Sequence, residues 1–322
     1  MSINKLLEFL SDGEYHSGVE MGEALGVSRT AVWKALTKLE ASGIKLEVIK
    51  GKGYRIVGGI DLLNQEYISQ YLEARGVSVE SLTVLQNVDS TNSYLMSRDA
   101  ETDGFNVCLA EQQASGRGRR GRAWHSPYAK NIYLSMSFGL SGGAEALEGL
   151  SLALGVAVAN CLSDQGVEGV GLKWPNDIWV GGKKLAGILV ELKGEAEFGW
   201  KVVAGLGVNV SMTETEGVDI GQPWTSIENV FGGSINRSLW ASLIIESLIN
   251  VIRQYRVSGL SGLLEGWSRF DILKNQEVVL TDGSSGICQG VDHRGRLLVS
   301  SGKDVRVVNA GEVSVRPNEP TN

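Results

Sequence analysis

The chain has 322 residues, 43% hydrophobic and 21% charged, and a formal net charge of −7. That size and composition predict two or three soluble domains, and the acidic balance excludes a whole-surface nucleic-acid binder, so any DNA contact must be local. The cysteines (Cys108, Cys161, Cys288) and histidines (His16, His125, His293) are too scattered for a zinc site, a disulfide framework or a Ser-His-Asp triad, and neither a signal peptide nor a membrane-long apolar run is apparent, so a reduced, cytoplasmic chain is expected.

Residues 1–62 read as a small separate domain. Ile3, Leu6, Leu7 and Leu10 have helical spacing, and Val19, Met21, Leu25 and Val27 form a second short apolar set. Gly26 makes a turn and Ser28 is a good N-cap for a helix over about Ser28 to Ser42. Val32, Ala35, Leu36 and Leu39 would face inward, leaving Arg29, Thr30, Trp33, Lys34, Thr37 and Lys38 outside. Two strand-like pieces, Lys45 to Ile49 and Tyr54 to Val57, flank Lys50-Gly51-Lys52-Gly53. This is the layout of a winged helix-turn-helix, with Ser28, Arg29, Thr30, Trp33, Lys34 and Lys52 as candidate DNA contacts. Residues 1–60 carry +1 and the remainder −8, which favours this end for DNA. A helical protein–protein module is the alternative.

Residues 65–269 read as a central α+β domain. Strands are predicted at Leu82 to Leu85, Asn106 to Ala110, Ile132 to Phe138, Gly171 to Lys173, Ile178 to Val180, Lys184 to Lys193 and Trp200 to Asn209. Helices are predicted at Thr91 to Arg98, Ala146 to Ser163 and Arg237 to Tyr255, the last capped by Asn236. Short turns between strands predict an antiparallel or mixed sheet with helices on one side. Residues 270–322 show short strands separated by Asp282-Gly283, Arg294-Gly295 and Ser301-Gly302, the pattern of a small SH3-like β-barrel, followed by a frayed tail from Pro317.

Four strings carry candidate chemistry. Gly116-Arg117-Gly118-Arg119-Arg120-Gly121-Arg122 sits mid-chain between apolar runs. Its glycines let several N–H groups turn toward one anion, and its arginines add forked donors. It reads as an ordered ligand loop, against the alternative of an RGG-like segment touching nucleic acid. Asp89-Ser90-Thr91-Asn92 would place hydroxyls at a helix N-terminus, for a ligand or simply as an N-cap. Lys173-Trp174-Pro175-Asn176-Asp177 presents oxygens suited to magnesium or a ribose, or is an ordinary turn. Lys183 to Glu191 sends a lysine, Lys184, into an apolar strand, where it must meet an anion. Ala186 and Gly187 there, and Gly205 to Asn209 next to them, leave room for a flat ligand. Together they describe an apolar slot with an anion clamp and no thiol or histidine nucleophile.

These strings, with Gln112 to Trp124 and the His16-Ser17-Gly18 and Gly51-Lys52-Gly53-Tyr54 pieces, closely resemble the biotin protein ligases. The N-terminal sixty residues resemble the bifunctional type that also represses the biotin operon. The resemblance implies a class II synthetase-like central sheet. It also implies a reaction of biotin with ATP and Mg²⁺ that gives biotinoyl-5′-AMP, then transfer to a lysine of the biotin carboxyl carrier protein of acetyl-CoA carboxylase. By the family's pattern, biotin would meet Ser90, Thr91, Asn92, Gln113, Arg117, Gly118, Arg119, Lys184 and Gly187, with Lys184 and Arg119 catalytic. The nucleotide would meet Arg119, Arg122, Trp124, Lys173, Asn176, Asp177, Asn209 and Trp224, with Asp177 holding the metal. The implied partners are biotin operator DNA and a second copy of the chain when the adenylate is bound, joined near Leu189 to Lys193. A lipoate or octanoyl ligase and a non-catalytic ligand-sensing repressor are the rival readings.

Overall fold

The computed structural model describes residues 3–41, 43–98, 104–142, 144–195, 199–309 and 316–317. The chain opens with helices α1 (Ile3–Leu10), α2 (Gly18–Leu25) and α3 (Arg29–Ala41), followed by a hairpin of β1 (Leu46–Ile49) and β2 (Gly53–Ile56). A reciprocal capping box of Ser17 and Glu20 starts α2, and Gly26, at φ 65°, ends it. Ser28 caps α3 by accepting from the Ala31 N–H at 3.2 Å. Leu6, Leu7, Leu10, Met21, Val32, Leu36 and Leu39 close the small core beneath. Backbone bonds of 2.9 Å in both directions between His16 and Tyr54 tie the hairpin to the start of α2. The predicted last residue of α3, Ser42, lies outside the described residues.

The middle of the chain comprises α4 (Gln65–Ala74), β3 (Ser81–Val88), α5 (Thr91–Met96), β4 (Asn106–Gln113), β5 (Asn131–Leu140), α6 (Leu150–Asp164), β6 (Val170–Lys173), β7 (Asp177–Val180), β8 (Lys183–Glu195), β9 (Gly199–Asn209), α7 (Ile227–Phe231), α8 (Arg237–Ser258) and α9 (Leu264–Phe270). Its seven strands run in the order β3-β4-β5-β9-β8-β7-β6. The β3–β4 pair is parallel and the others are antiparallel. Alternate residues of each strand enter opposite faces. Val107, Leu109, Leu134 and Met136 belong to the main core. Cys108 and Val203 face the other way, where Leu95 of α5 covers them.

The expectation of helices on one side is therefore corrected. Helices α6 and α8 cover one face, and α5, six residues long, covers part of the other. The predicted start of α6 at Ala146 is corrected too. Gly149, at φ 73°, breaks the backbone there, and the helix proper begins at Leu150.

The C-terminal strands β10 (Glu277–Val279), β11 (Ser285–Val291), β12 (Leu297–Ser301), β13 (Asp304–Val308) and β14 (Arg316–Pro317) form an antiparallel sheet in the order β13-β12-β11-β10-β14. The expected SH3-like barrel is not formed among the described residues, because β13 and β14 are the two ends of the sheet and do not pair. The apolar face of this sheet does not close on itself. Val278, Leu280, Cys288, Leu297 and Val299 join the main core of the central sheet. Trp174 reinforces the joint by donating its indole N–H to the Gly295 carbonyl at 3.0 Å. The predicted frayed tail is corrected at its first residue, since Pro317 pairs with Val278 in β14; residues 318–322 lie outside the described residues.

A buried ion pair fastens the segment between the N-terminal helices and the sheet. Glu111 and Arg237 are 0% and 1% exposed and meet at 2.8 Å. Glu111 also accepts from the Leu63 N–H at 2.6 Å, and the Arg237 N–H donates to Asp61 at 2.7 Å. Arg237 further donates to the Asn131 carbonyl, at 2.8 Å from one nitrogen and 3.2 Å from another. Nearby, Tyr128 and Ala129 pack into the N-terminal core.

Candidate active site and DNA-facing surface

The arginine-glycine loop is an ordered hairpin. The Gly118 N–H donates to the Arg122 carbonyl at 2.7 Å and the Trp124 N–H to the Gly116 carbonyl at 2.8 Å. A Cβ on Gly116 would lie 2.7 Å from the Trp124 carbonyl oxygen and 2.8 Å from Ser126 Oγ, so the turn needs glycine there. Arg120 adopts φ 57°, a left-handed conformation uncommon outside glycine.

One side of the loop meets the start of α5. Ser90 is the N-cap of that helix. Gln113 Oε1 accepts from the Thr91 N–H at 2.9 Å and from its hydroxyl at 3.1 Å, while Gln113 Nε2 donates to Ser126 at 3.3 Å. Arg117 donates to Ser93 at 3.0 Å and pairs with Glu191 at 3.3 Å. Asn92 is buried and spends its amide inside the protein, donating to Glu191 at 2.8 Å and standing 2.6 Å from Ser135 Oγ.

The other side meets the β7–β8 corner. Lys184 Nζ lies 2.9 Å from Asp177 Oδ1, with both side chains largely covered. Arg119 donates to Asn176 Oδ1 at 3.3 Å, and Asn176 Nδ2 donates to the Ile188 carbonyl at 2.6 Å. Burial, reinforced by Arg120, pulls the Arg119 pKa below the usual guanidinium range, and Asp177 opposes that shift. Arg119 nonetheless stays charged, since a guanidinium does not lose its proton in proteins.

The smooth strip expected from Gly187 and Gly207 is present, and the indole of Trp124 lies on it. A Cβ on Gly207 would come within 2.3 Å of that ring, and one on Gly187 within 3.2 Å. Lys184 Nζ stands 5.5 Å from the centre of the same ring. The Trp124 indole N–H is buried without a hydrogen-bond partner among the described residues, a donor at the slot that a ligand acceptor could satisfy. Gly207→Ala should overpack this contact at a cost of about 1–3 kcal/mol. A lower urea midpoint and altered tryptophan emission are expected; an unchanged midpoint would mean the indole moves aside freely.

The segment around Trp224 runs beside Lys184. The Lys184 N–H donates to the Pro223 carbonyl at 3.0 Å, and the Thr225 N–H to the Lys184 carbonyl at 2.9 Å. The preceding polar stretch, whose role is not legible in the sequence, folds so that Gly217 lies against the Trp224 indole.

Two other candidates sit differently. Lys173 Nζ lies 4.2 Å from the Trp179 ring centre, and the Asn209 amide donates to the Thr225 carbonyl at 3.1 Å. The structure adds Ser135 and Glu191 to this neighbourhood, both bonded to Asn92. Ser135 had a sequence signal, a hydroxyl inside the apolar run Ile132 to Phe138. Burial pushes the Cys108 thiol up to about 12 and those of Cys161 and Cys288 up to about 11, so none is poised as a nucleophile.

On the N-terminal helices, Ser28, Arg29, Thr30, Trp33 and Lys34 are exposed along the start of α3, and Lys52 is exposed at the hairpin tip.

Three family models match the chain in order: an HTH domain over residues 3–55, the biotin/lipoate A/B protein ligase family over 84–209, and a biotin protein ligase C-terminal domain over 275–316. The bifunctional ligase/repressor BirA of Escherichia coli (strain K12) is 37% identical over 318 residues, covering 98% of this chain and 97% of its own. The biotin–[acetyl-CoA-carboxylase] ligase of Mycobacterium tuberculosis is 32% identical, covering 78% of this chain and 95% of its own. Among solved structures, the Aquifex aeolicus biotin protein ligase in complex with biotin and ATP superposes with a TM-score of 0.63 at 25% identity, covering 74% of this chain and all of that one. On these likenesses the chain is a member of the biotin protein ligase family, of the bifunctional ligase/repressor type.

Proposed function

We propose that this enzyme activates biotin with ATP as biotinoyl-5′-AMP, passes the biotinoyl group to one lysine of the biotin carboxyl carrier protein of acetyl-CoA carboxylase, and uses the adenylate to control its own binding to the biotin operator. The observation that carries the ligase half is the convergence of Arg119, Asn176, Asp177 and Lys184 beside the strip under Trp124. A carboxylate attacking an α-phosphate brings two anions together, so fixed positive charge there stabilises the transition state. Lys184 and Arg119 supply that charge at the carboxylate and phosphate. Ser90, Thr91, Gln113 and the Arg117–Gly118 backbone face the ureido head, with Asn92 behind them. Trp124 and Trp224 flank the adenine, and Arg122 and Lys173 serve the phosphates.

Among the described residues no group of three or more His, Cys, Asp or Glu side chains could hold a metal by itself. Asp177 beside the phosphate clamp nevertheless suits magnesium, which takes one or two carboxylates and completes its shell with phosphate and water. Bound there, the ion would neutralise phosphate charge.

Purified protein given biotin, MgATP and the carrier domain should release pyrophosphate and label one carrier lysine. Lipoate turnover without biotin turnover would overturn the reading.

For the repressor half, the support is the exposed set on α3 and Lys52, together with an open strand edge. Among the described residues, Leu189 to Glu195 pair only with β9. Such an edge can pair with a second copy of itself. Two nearly neutral N-terminal domains joined in this way would hold a two-fold operator that one copy holds weakly. Sedimentation of apo and adenylate-bound protein tests the link, since equal self-association would remove it. By reciprocity, dimerisation must tighten adenylate binding by the same factor. Lys52→Glu should weaken operator binding roughly tenfold or more through lost phosphate contact, with biotin activation kept.

A further inference from the structure

We infer that Glu191 is a positioning residue for the biotin half of the site, latching the Arg117 loop and helix α5 to strand β8; this rests on the proposed assignment of the Thr91 and Arg117 region to biotin. One carboxylate oxygen accepts from Asn92 Nδ2 at 2.8 Å and the other from Arg117 Nη2 at 3.3 Å. The same guanidinium nitrogen donates to Ser93 Oγ at 3.0 Å, which closes the ring from strand to loop to helix. Asn92 relays the hold. It is 4% exposed, also donates to the Leu189 carbonyl at 3.3 Å, and faces Ser135 across a strand notched by Gly205, whose Cβ would lie 2.2 Å from Asn92 Oδ1.

Helix α5 needs such anchors. At six residues it is far too short to be stable alone. Lys201 Nζ caps its other end, donating to the Leu95 carbonyl at 2.7 Å and to the Arg98 carbonyl. The carboxylate is also well placed electrostatically. Glu191 lies four residues along β8 from Gly187, about 13 Å at the usual strand rise. It can therefore neutralise Arg117 without repelling the anionic end of a ligand at Lys184.

The test uses full-length Glu191→Ala and Glu191→Gln. Pyrophosphate release gives KM for biotin and for ATP, and tryptophan fluorescence follows adenylate dissociation. Glu191→Ala should raise the biotin KM and speed adenylate loss about tenfold, as expected for losing charge-assisted bonds, and leave the ATP KM within about twofold. Glu191→Gln keeps an acceptor for Asn92 and loses the ion pair, so it should fall between the two, with a difference from wild type that shrinks at high salt. Unchanged biotin KM and adenylate loss in Glu191→Ala would overturn the assignment. So would equal rises for both substrates with a lowered unfolding midpoint, which would make Glu191 a general packing residue. Wild-type protein that releases no pyrophosphate with biotin would instead overturn the site reading beneath it.

Discussion

Replacing Lys184 by alanine should slow adenylate formation by about 2–4 kcal/mol in barrier, the scale of removing one preorganised charge stabiliser. The side chain is largely covered and holds Asp177 at 2.9 Å, so its charge acts where water screens poorly. The loss should appear in the rate of pyrophosphate release at saturating biotin and ATP. A Lys184→Arg variant separates charge from shape. It restores charge with a planar fork that cannot reproduce the ammonium's position, so partial recovery is expected. A near-wild-type rate in Lys184→Ala would show that the lysine only neutralises Asp177, leaving the phosphate charge to Arg119.

The second large effect concerns stability. Glu111→Ala or Arg237→Ala should cost about 3–5 kcal/mol, because each strands a buried charge that has lost its partner. Both groups are essentially fully buried, so no allowance for solvent screening is needed. Glu111→Ala also leaves the Leu63 N–H without its acceptor, and Arg237→Ala frees the Asn131 carbonyl. Urea unfolding would show a lower midpoint for each single variant. Replacing both residues by apolar side chains of similar volume should recover much of the loss. If the single variants unfold like wild type, the pair is not holding the segment from Asp61 to Asn64. Ligase activity measured well below the unfolding midpoint would then report whether that segment matters to the site.

Much of this molecule is legible in its sequence because local rules act strongly there. Capping residues, glycine turns and apolar periodicity place α1, α2, α3 and the hairpin, with Ser28 capping as expected. All seven central strands appear near their predicted positions, since each alternates or runs apolar over several residues. Helices α4, α7 and α9 escape because they are short and partly polar. Even so, α4 carries a readable N-cap in Asn64.

The arginine-glycine loop, Lys184 and the glycine strip stand out in the sequence because such residues are costly in those places without partners; in the fold Asp177 meets Lys184 and Glu191 meets Arg117. What only the tertiary structure decided is partnership across long separations. Glu111 with Arg237, and Glu191 with Asn92 and Arg117, lie from 74 to 126 positions apart. No local pattern specifies which charge meets which. The same limit explains the C-terminal sheet. Its turns are local and predictable, but whether its edges close on one another, or its apolar face joins a neighbour's core, depends on surface that the rest of the chain provides. The flat slot was likewise foreseeable from Gly187 and Gly207. That Trp124 lies in it follows only from where the folded hairpin sets its last residue.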